Sequence, residues 1–247
     1  NLDLSTLRNN LFDFRARQFY KKIKKGKPHI LYNIEGTKTG RLTTSKQSFP
    51  ILTLDKKYRG IIKPINDRFI ELDFNAAELR TLLSLCGAEQ PAEDLHTWNI
   101  ENVFRGLITR DKAKKRVFAW LYNPESKDYL LNRAYDREFV KNEYYDGEYI
   151  TNPFGRKLES DDYHAVNYII QSTTSDMFLT QAAKVYNFLK QKKTHIAFVV
   201  HDSLVLDFSN EEEADISDIV DIFSDTELGR FLVNLKTGTN YGTMEAI

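Results

Sequence analysis

The stretch Ile196-Ala-Phe-Val-Val-His-Asp-Ser-Leu-Val-Leu-Asp-Phe208 decides how this chain is read. Two apolar runs flank the polar triplet His201-Asp202-Ser203, the pattern of two buried strands joined by a tight turn that lifts one carboxylate out of a sheet. Alone, the stretch also fits an ordinary surface hairpin, because Asp favours turns. A second carboxylate shifts the balance. Phe69-Ile-Glu-Leu-Asp-Phe74 alternates like a strand, and helical periodicity follows from Asn75 to Leu85. Asp73 therefore sits where a strand turns into a helix, a place for a catalytic acid and equally for a plain N-cap.

The chain has 247 residues, enough for one large domain or two small ones. Lys plus Arg and Asp plus Glu both number 35, so any nucleic-acid role must rest on local charge segregation. Cys86 is the only cysteine, which excludes an internal disulfide and suits a reducing compartment, the cytoplasm. The histidines show no zinc-like spacing, and no apolar run approaches the ~20 residues of a membrane span, so no membrane partner is expected. The opening Asn-Leu-Asp-Leu, without Met, reads as part of a longer or processed polypeptide.

Between the two carboxylates lies the most telling helix, Leu107 to Tyr122, with Thr109 as its expected N-cap and Pro124 beyond its end. Arg110, Lys114, Phe118 and Tyr122 are spaced four apart, and each step advances about 40° around the helix. Two cations and then two aromatics thus form one slanted stripe. The plainer reading is a basic amphipathic helix whose rings enter a core. A nucleoside triphosphate, however, asks for this order of groups, cations along phosphates and rings against sugar and base.

Elsewhere, residues 1 to about 30 read as helix, with Leu7, Leu11, Phe14 and Phe19 near one face and a basic cluster from Lys21 to Lys25. A loop with strand-like flanks, 32–44, carries Arg41 between Gly40 and small hydroxyl residues. Residues 123–152 are polar and Tyr-rich, as in short helices, and Asn152-Pro-Phe-Gly-Arg156 is a turn. A long helix is expected from Asp161 to about Lys193, with the amides of Asn167 and Gln171 on one face. They fit either local buried pairing or readout of base edges in a minor groove. An acidic helix over 211–223 and a final strand and turn over 231–242 complete the pattern.

Together these stretches resemble, in order, the polymerase module of family A DNA polymerases, the group of bacterial polymerase I and phage replicative polymerases. Thr39-Gly-Arg-Leu-Thr-Thr44 resembles the family's T-G-R-L-S-S segment, and Asp73-Phe-Asn-Ala-Ala-Glu-Leu-Arg80 resembles motif A. Asp94-Leu-His96 resembles its D-I-H segment, and Arg110, Lys114, Phe118 and Tyr122 resemble motif B. Asn167 and Gln171 with Asp176 resemble the N-xxx-Q helix, Val200-His-Asp202 resembles motif C, and Gly238-Thr-Asn-Tyr-Gly242 resembles the terminal G-x-N-W-G.

The resemblance implies an α+β fold, a palm with an antiparallel sheet and a reduced helical fingers subdomain. The expected borders are an N-terminal helix over 1–31, palm over 32–92, fingers over 93–150, and palm again over 151–247. It implies template-directed addition of deoxynucleotides to a primer 3′-hydroxyl by two-metal-ion transfer. Asp73, Asp202 and the Phe74 carbonyl would hold two Mg²⁺, with Mn²⁺ a possible substitute. Arg110, Lys114 and His96 would grip the triphosphate, with Lys114 protonating the pyrophosphate leaving group. Phe118 and Tyr122 would lie against sugar and base, and Glu78 would block a 2′-hydroxyl. Arg41, Asn167, Gln171 and His201 would contact primer–template DNA. The setting implied is a bacterial or phage-infected cell.

Some positions depart from the family pattern. Ser203 replaces the acid that usually follows the motif C Asp, Asn123 stands in place of Gly, and Tyr163 in place of Arg or His. The fingers stretch is short, with no room for a full thumb before residue 30 or for a 3′–5′ exonuclease. Those functions would fall to missing sequence or a processivity partner. Two alternatives stay open: a single-subunit RNA polymerase, which carries His-Asp-Ser in motif C, and a non-catalytic nucleic-acid-binding subunit with a decayed palm. Glu78 and Phe118 favour DNA over RNA.

Overall fold

The computed structural model describes residues 1–9, 11–26 and 29–247, with the backbone alone at residue 6. In chain order the elements are α1 (Ser5–Asn9), α2 (Phe14–Lys25), β1 (Tyr32–Asn33), β2 (Thr43–Thr44), β3 (Arg68–Phe74), α3 (Ala77–Leu85), α4 (Leu95–Asn102) and α5 (Arg110–Tyr122). Then come α6 (Tyr129–Ala134), α7 (Arg137–Tyr144), β4 (Tyr149–Thr151), β5 (Lys157–Glu159), α8 (Ala165–Leu189), β6 (His195–Val200) and β7 (Ser203–Phe208). The chain ends with α9 (Ile216–Ser224), β8 (Asp225–Thr226), β9 (Gly229–Arg230), β10 (Val233–Gly238) and β11 (Glu245–Ala246). Helices mixed with antiparallel sheet make this an α+β fold.

Two compact units divide the residues. The first comprises Asn1–Asp73, Ala182–Phe223 and Val233–Ile247, and holds a five-stranded sheet in the order β11-β10-β3-β7-β6. Pairings β3–β7, β7–β6 and β10–β11 are antiparallel. Every residue of β7 is buried, so its Leu and Val run needs no polar alternation. Phe69, Phe198 and Val205 of the sheet pack with Leu7, Ala16, Phe49, Ile61 and Tyr241 in one apolar cluster. The Tyr32 hydroxyl donates to the Val199 carbonyl of β6 at 2.7 Å and accepts from the Val199 N–H at 2.9 Å. At the chain's other end a Cβ on Gly242 would meet the Gly60 backbone nitrogen at 2.7 Å, so only glycine permits that approach.

The second unit, Phe74–Gln181 with Ser224–Leu232, is mostly helical. Its core joins Leu82, Leu95, Phe104, Val117, Trp120, Leu131, Val140, Ile150 and Ile169. Two buried guanidiniums knit it. Arg80 donates to the carbonyls of Asn75, Pro91 and Glu93 at 2.7–2.9 Å. Arg137 donates to the carbonyls of Trp120 and Asn123 at 2.6 and 3.0 Å, satisfying carbonyls at the end of α5 that the helix itself cannot.

Several expectations need correcting. The N-terminal helix is two helices. Asp13 accepts from the backbone N–H groups of Arg15 and Ala16 and starts a fresh register. Phe14 consequently faces solvent while Leu7 is buried, and residues 10, 27 and 28 of that expected helix lie outside the described residues. The helix after β3 begins at Ala77, two residues late, because Ala76 adopts a left-handed φ of 51°. Asp73 is thus no N-cap. Thr109 holds the N-cap position of α5, yet its side chain makes no capping bond. The acidic helix is divided into a 3₁₀ segment, Asn210–Asp215, kinked at Glu212, and α9 from Ile216. The Asn152–Arg156 turn proves to be the loop of a short hairpin, β4–β5.

Candidate active site

In the first unit, the hairpin β6–β7 closes with Val200 opposite Ser203, leaving His201 and Asp202 as a two-residue turn. His201 takes a φ of 55°, a left-handed conformation a non-glycine residue adopts at a cost of about 1–3 kcal/mol. Such strain persists only where the surroundings enforce it. On the neighbouring strand, Asp73 is the register partner of Ser203. The two carboxylates therefore end up at the same end of adjacent strands, both half-buried. Ser203 itself is buried, and its hydroxyl finds no hydrogen-bond partner among the described residues.

Cations stand nearby. His201 titrates below its usual range, first because of burial and then because of the Arg41 and Arg59 charges. Tyr241, with Arg59 over its ring at 4.7 Å, has its pKa pushed up to about 12 by burial, with the Glu71 and Asp73 charges adding to the rise. Thus Arg41, His201, Asp73 and Asp202 are brought to one region of this unit.

In the second unit the α5 stripe stays out of the core. Ala113, Val117, Trp120 and Leu121 face inward, whereas Lys114 is exposed, Phe118 half-buried and Tyr122 38% exposed. The two rings stack at 5.9 Å with planes 8° apart, and the Lys114 ammonium lies 5.8 Å from the Phe118 ring. Tyr122 donates its hydroxyl to the Glu78 carboxylate on α3. His96, 4% exposed, sits 5.9 Å from Phe118, and its Nδ1 has no hydrogen-bond partner among the described residues. Burial and the surrounding Lys114, Arg110 and Arg80 charges lower its pKa to about 4, with Asp94 opposing, so the ring is neutral at pH 7.

Arg110 does not stand open. It forks onto Asp94, with Nε to Oδ1 at 3.1 Å and Nη2 to Oδ2 at 2.8 Å. Asp94 was visible in the sequence only as part of the segment Asp94-Leu-His96. Burial pushes its carboxyl upward, but Arg110, Asn75 and Thr97 hold it well below the usual carboxylate range. On α8, Gln171 donates to Asn167 at 2.7 Å, and both stay half-buried. The local pairing envisaged for these amides is present. Of the departures, Asn123 and Tyr163 are both exposed, and Tyr163 packs edge-on against His164 at 5.1 Å.

No family model matches the chain. A curated relative, DNA polymerase I of Borreliella burgdorferi, is 24% identical over an alignment of 263 positions, covering 83% of this chain and 29% of the relative. The chain therefore spans less than a third of that relative's length. A solved structure, the POL domain of Pol1 from M. smegmatis in complex with DNA primer-template and dNTP, superposes with a TM-score of 0.68 at 15% identity. The superposition takes in 99% of this chain and 57% of that one, and it shows a shared fold. The chain is therefore similar in sequence to part of a bacterial DNA polymerase I and shares the fold of a DNA polymerase's polymerase domain.

Proposed function

We propose that this chain is a template-directed DNA polymerase that adds deoxynucleotides to a primer 3′-hydroxyl. One observation carries the reading: the strained two-residue turn that sets Asp202 beside the strand end bearing Asp73. Two carboxylate residues stand there at the ends of neighbouring strands, and the Phe74 carbonyl follows Asp73 along the chain. Hard oxygen donors suit Mg²⁺, with Mn²⁺ as a substitute. No group of three or more His, Cys, Asp or Glu residues that could hold a metal occurs among the described residues. In this reading the remaining ligands are substrate phosphates and water, as Mg²⁺ prefers. When bound, two such ions supply activation of the primer hydroxyl and charge neutralisation at the leaving pyrophosphate.

The chain's own groups do the rest. Arg110, Lys114 and His96 bind the triphosphate, and Lys114 delivers a proton to the departing pyrophosphate. The stacked Phe118 and Tyr122 lie against sugar and base. Glu78, fixed by Tyr122, excludes a 2′-hydroxyl. Arg41, His201, Asn167 and Gln171 hold primer–template DNA, whose minor-groove acceptors are nearly alike for all sequences. In this reading the palm spans 32–92 and 151–247 and the fingers 93–150. Grip on longer duplex comes from further polypeptide or a processivity partner, in the cytoplasm of a bacterial or phage-infected cell.

Primer extension with Mg²⁺, comparing deoxy- and ribonucleotides beside an Asp202→Ala control, tests this. Deoxynucleotide extension that vanishes in the control is the expected result. A preference for ribonucleotides would favour the RNA polymerase reading, to which Ser203 points. Primer–template binding without extension, even with the longer polypeptide added back, would leave only a binding subunit.

A further inference from the structure

We propose that Asp94 is a positioning residue that holds the Arg110 guanidinium ready for a nucleoside triphosphate from a fixed seat at the start of α4. This rests on the polymerase reading above. Five hydrogen bonds converge on the carboxylate. Oδ1 accepts from the Thr97 N–H at 2.8 Å and the Thr97 hydroxyl at 2.9 Å, and Oδ2 accepts from Asn75 Nδ2 at 2.7 Å. The Arg110 fork supplies the other two. Asn75 is pinned in turn, since its Oδ1 accepts from the Leu95 N–H at 2.9 Å and from Arg80 Nη2 at 3.3 Å. Asp94 therefore cannot follow Arg110 if that side chain swings; Arg110 must come to Asp94.

The fork is side-on. It uses Nε and one Nη2 hydrogen, so the Nη1 pair and the second Nη2 hydrogen lie on the opposite edge of the guanidinium. Its Nη1 and Nη2 hydrogens still offer a phosphate one planar pair of donors. Arg110 is half exposed, and a long unpinned side chain there would lose rotamer freedom on binding an anion. Pinning it beforehand removes that loss from the binding step. The carboxylate also repels an incoming anion, but Lys114, exposed one turn further along α5, adds a second cation. Asn75 follows Asp73 by two residues, so the same carboxylate ties the motif A turn to the triphosphate arginine. No periodicity or composition signal carries that link.

The test is single-nucleotide incorporation at saturating primer–template, using one dNTP that complements the template base. Wild type, Asp94→Asn, Arg110→Ala and the double variant are compared, each with a thermal melt. Asp94→Asn is expected to raise KM about tenfold with kcat within about threefold, and the double variant to match Arg110→Ala alone. A KM within twofold of wild type, or below it, overturns the proposal. So does a double variant whose KM rises by the product of the two single increases. If Asp94→Asn does not fold, Asp94→Ser, which keeps a capping oxygen but cannot fork, is read by the same outcomes. If wild type extends no primer, the polymerase reading falls. The Asp94 assignment is then judged by titrating a fluorescent dNTP, where an unchanged Kd in Asp94→Asn overturns it.

Discussion

The phenol of Tyr122, at the last position of α5, donates to the carboxylate of Glu78 in the first turn of α3, 44 residues away in sequence. Glu78 is 5% exposed, so this bond satisfies a carboxylate that burial would otherwise penalise. It also fixes where that carboxylate stands. If Glu78 is the wall against a 2′-hydroxyl, Glu78→Ala lowers the deoxy-to-ribo incorporation ratio at least about tenfold, the scale of discrimination at one hydroxyl. Tyr122→Phe, which removes only the tether, lowers it less. Competitive incorporation of matched deoxy- and ribonucleotides measures both, and an unchanged ratio in Glu78→Ala rejects the role.

Asp73 and Asp202 carry the second prediction. Asp73→Asn and Asp202→Ala each cut single-nucleotide incorporation by about a thousandfold or more, as expected when several kcal/mol of transition-state charge stabilisation go. Neither change should alter the melting temperature greatly, since both side chains are only half-buried. Ser203→Ala should behave differently. It deletes a buried hydroxyl that has no hydrogen-bond partner among the described residues, so stability stays level or rises by up to about 1 kcal/mol, with activity kept. Denaturant titration of the three variants separates these effects, and a Ser203→Ala protein without activity would assign that hydroxyl a catalytic part.

His96 makes stability depend on acidity. Its pKa falls from an ordinary value near 6.5 to about 4 on folding, first through burial. A base with a depressed folded pKa favours the native state most when neutral. Its contribution is fully present above about pH 6.5 and is lost as pH falls toward 4. Replacing His96 by Gln should therefore flatten the fall in stability between pH 6.5 and 4 relative to wild type. Melting temperatures across that window provide the measurement, and parallel curves for the two proteins would contradict it.

Arg137 predicts a defect far from any reaction. It is 9% exposed, lies 4.1 Å over the Trp120 ring and serves carbonyls of Trp120 and Asn123. Arg137→Ala leaves those carbonyls unpaired and should cost about 2–4 kcal/mol, given about 1.5–3 kcal/mol for a hydrogen bond to a charged group. Arg137→Lys restores charge but not the fork, and should recover only part of it. Chemical denaturation of both variants decides this, and a shift below about 0.5 kcal/mol in the alanine variant would refute it.

Why some of this was legible in the sequence and some was not comes down to the range of the signal. The β6–β7 hairpin, the strand end at Asp73 and the α5 stripe are written in local periodicity, and each element is found where that periodicity puts it. Arg80 and Arg137 are different. A guanidinium satisfied by distant carbonyls looks, in sequence, like any solvated charge. The Asp94 fork is equally non-local, joining residues 16 apart. Strands β4 and β5 span three residues each, too few for an alternating pattern to show. The left-handed turns at Ala76 and His201 went unread because alanine does not announce a positive φ and histidine's enrichment there is too weak to read at one position.

The bond between Tyr32 and Val199 has a consequence for how the protein behaves in a crowd. Strand β6 is the outermost strand of its sheet, and outermost strands invite a further strand from another molecule. One phenol answers both main-chain groups of Val199, leaving no donor–acceptor pair there for a foreign backbone to use. Burial pushes that phenol's pKa up to about 12, so the plug stays protonated and two-handed at any ordinary pH. A single aromatic hydroxyl thereby occupies at Val199 the main-chain pair that a neighbouring strand would otherwise use.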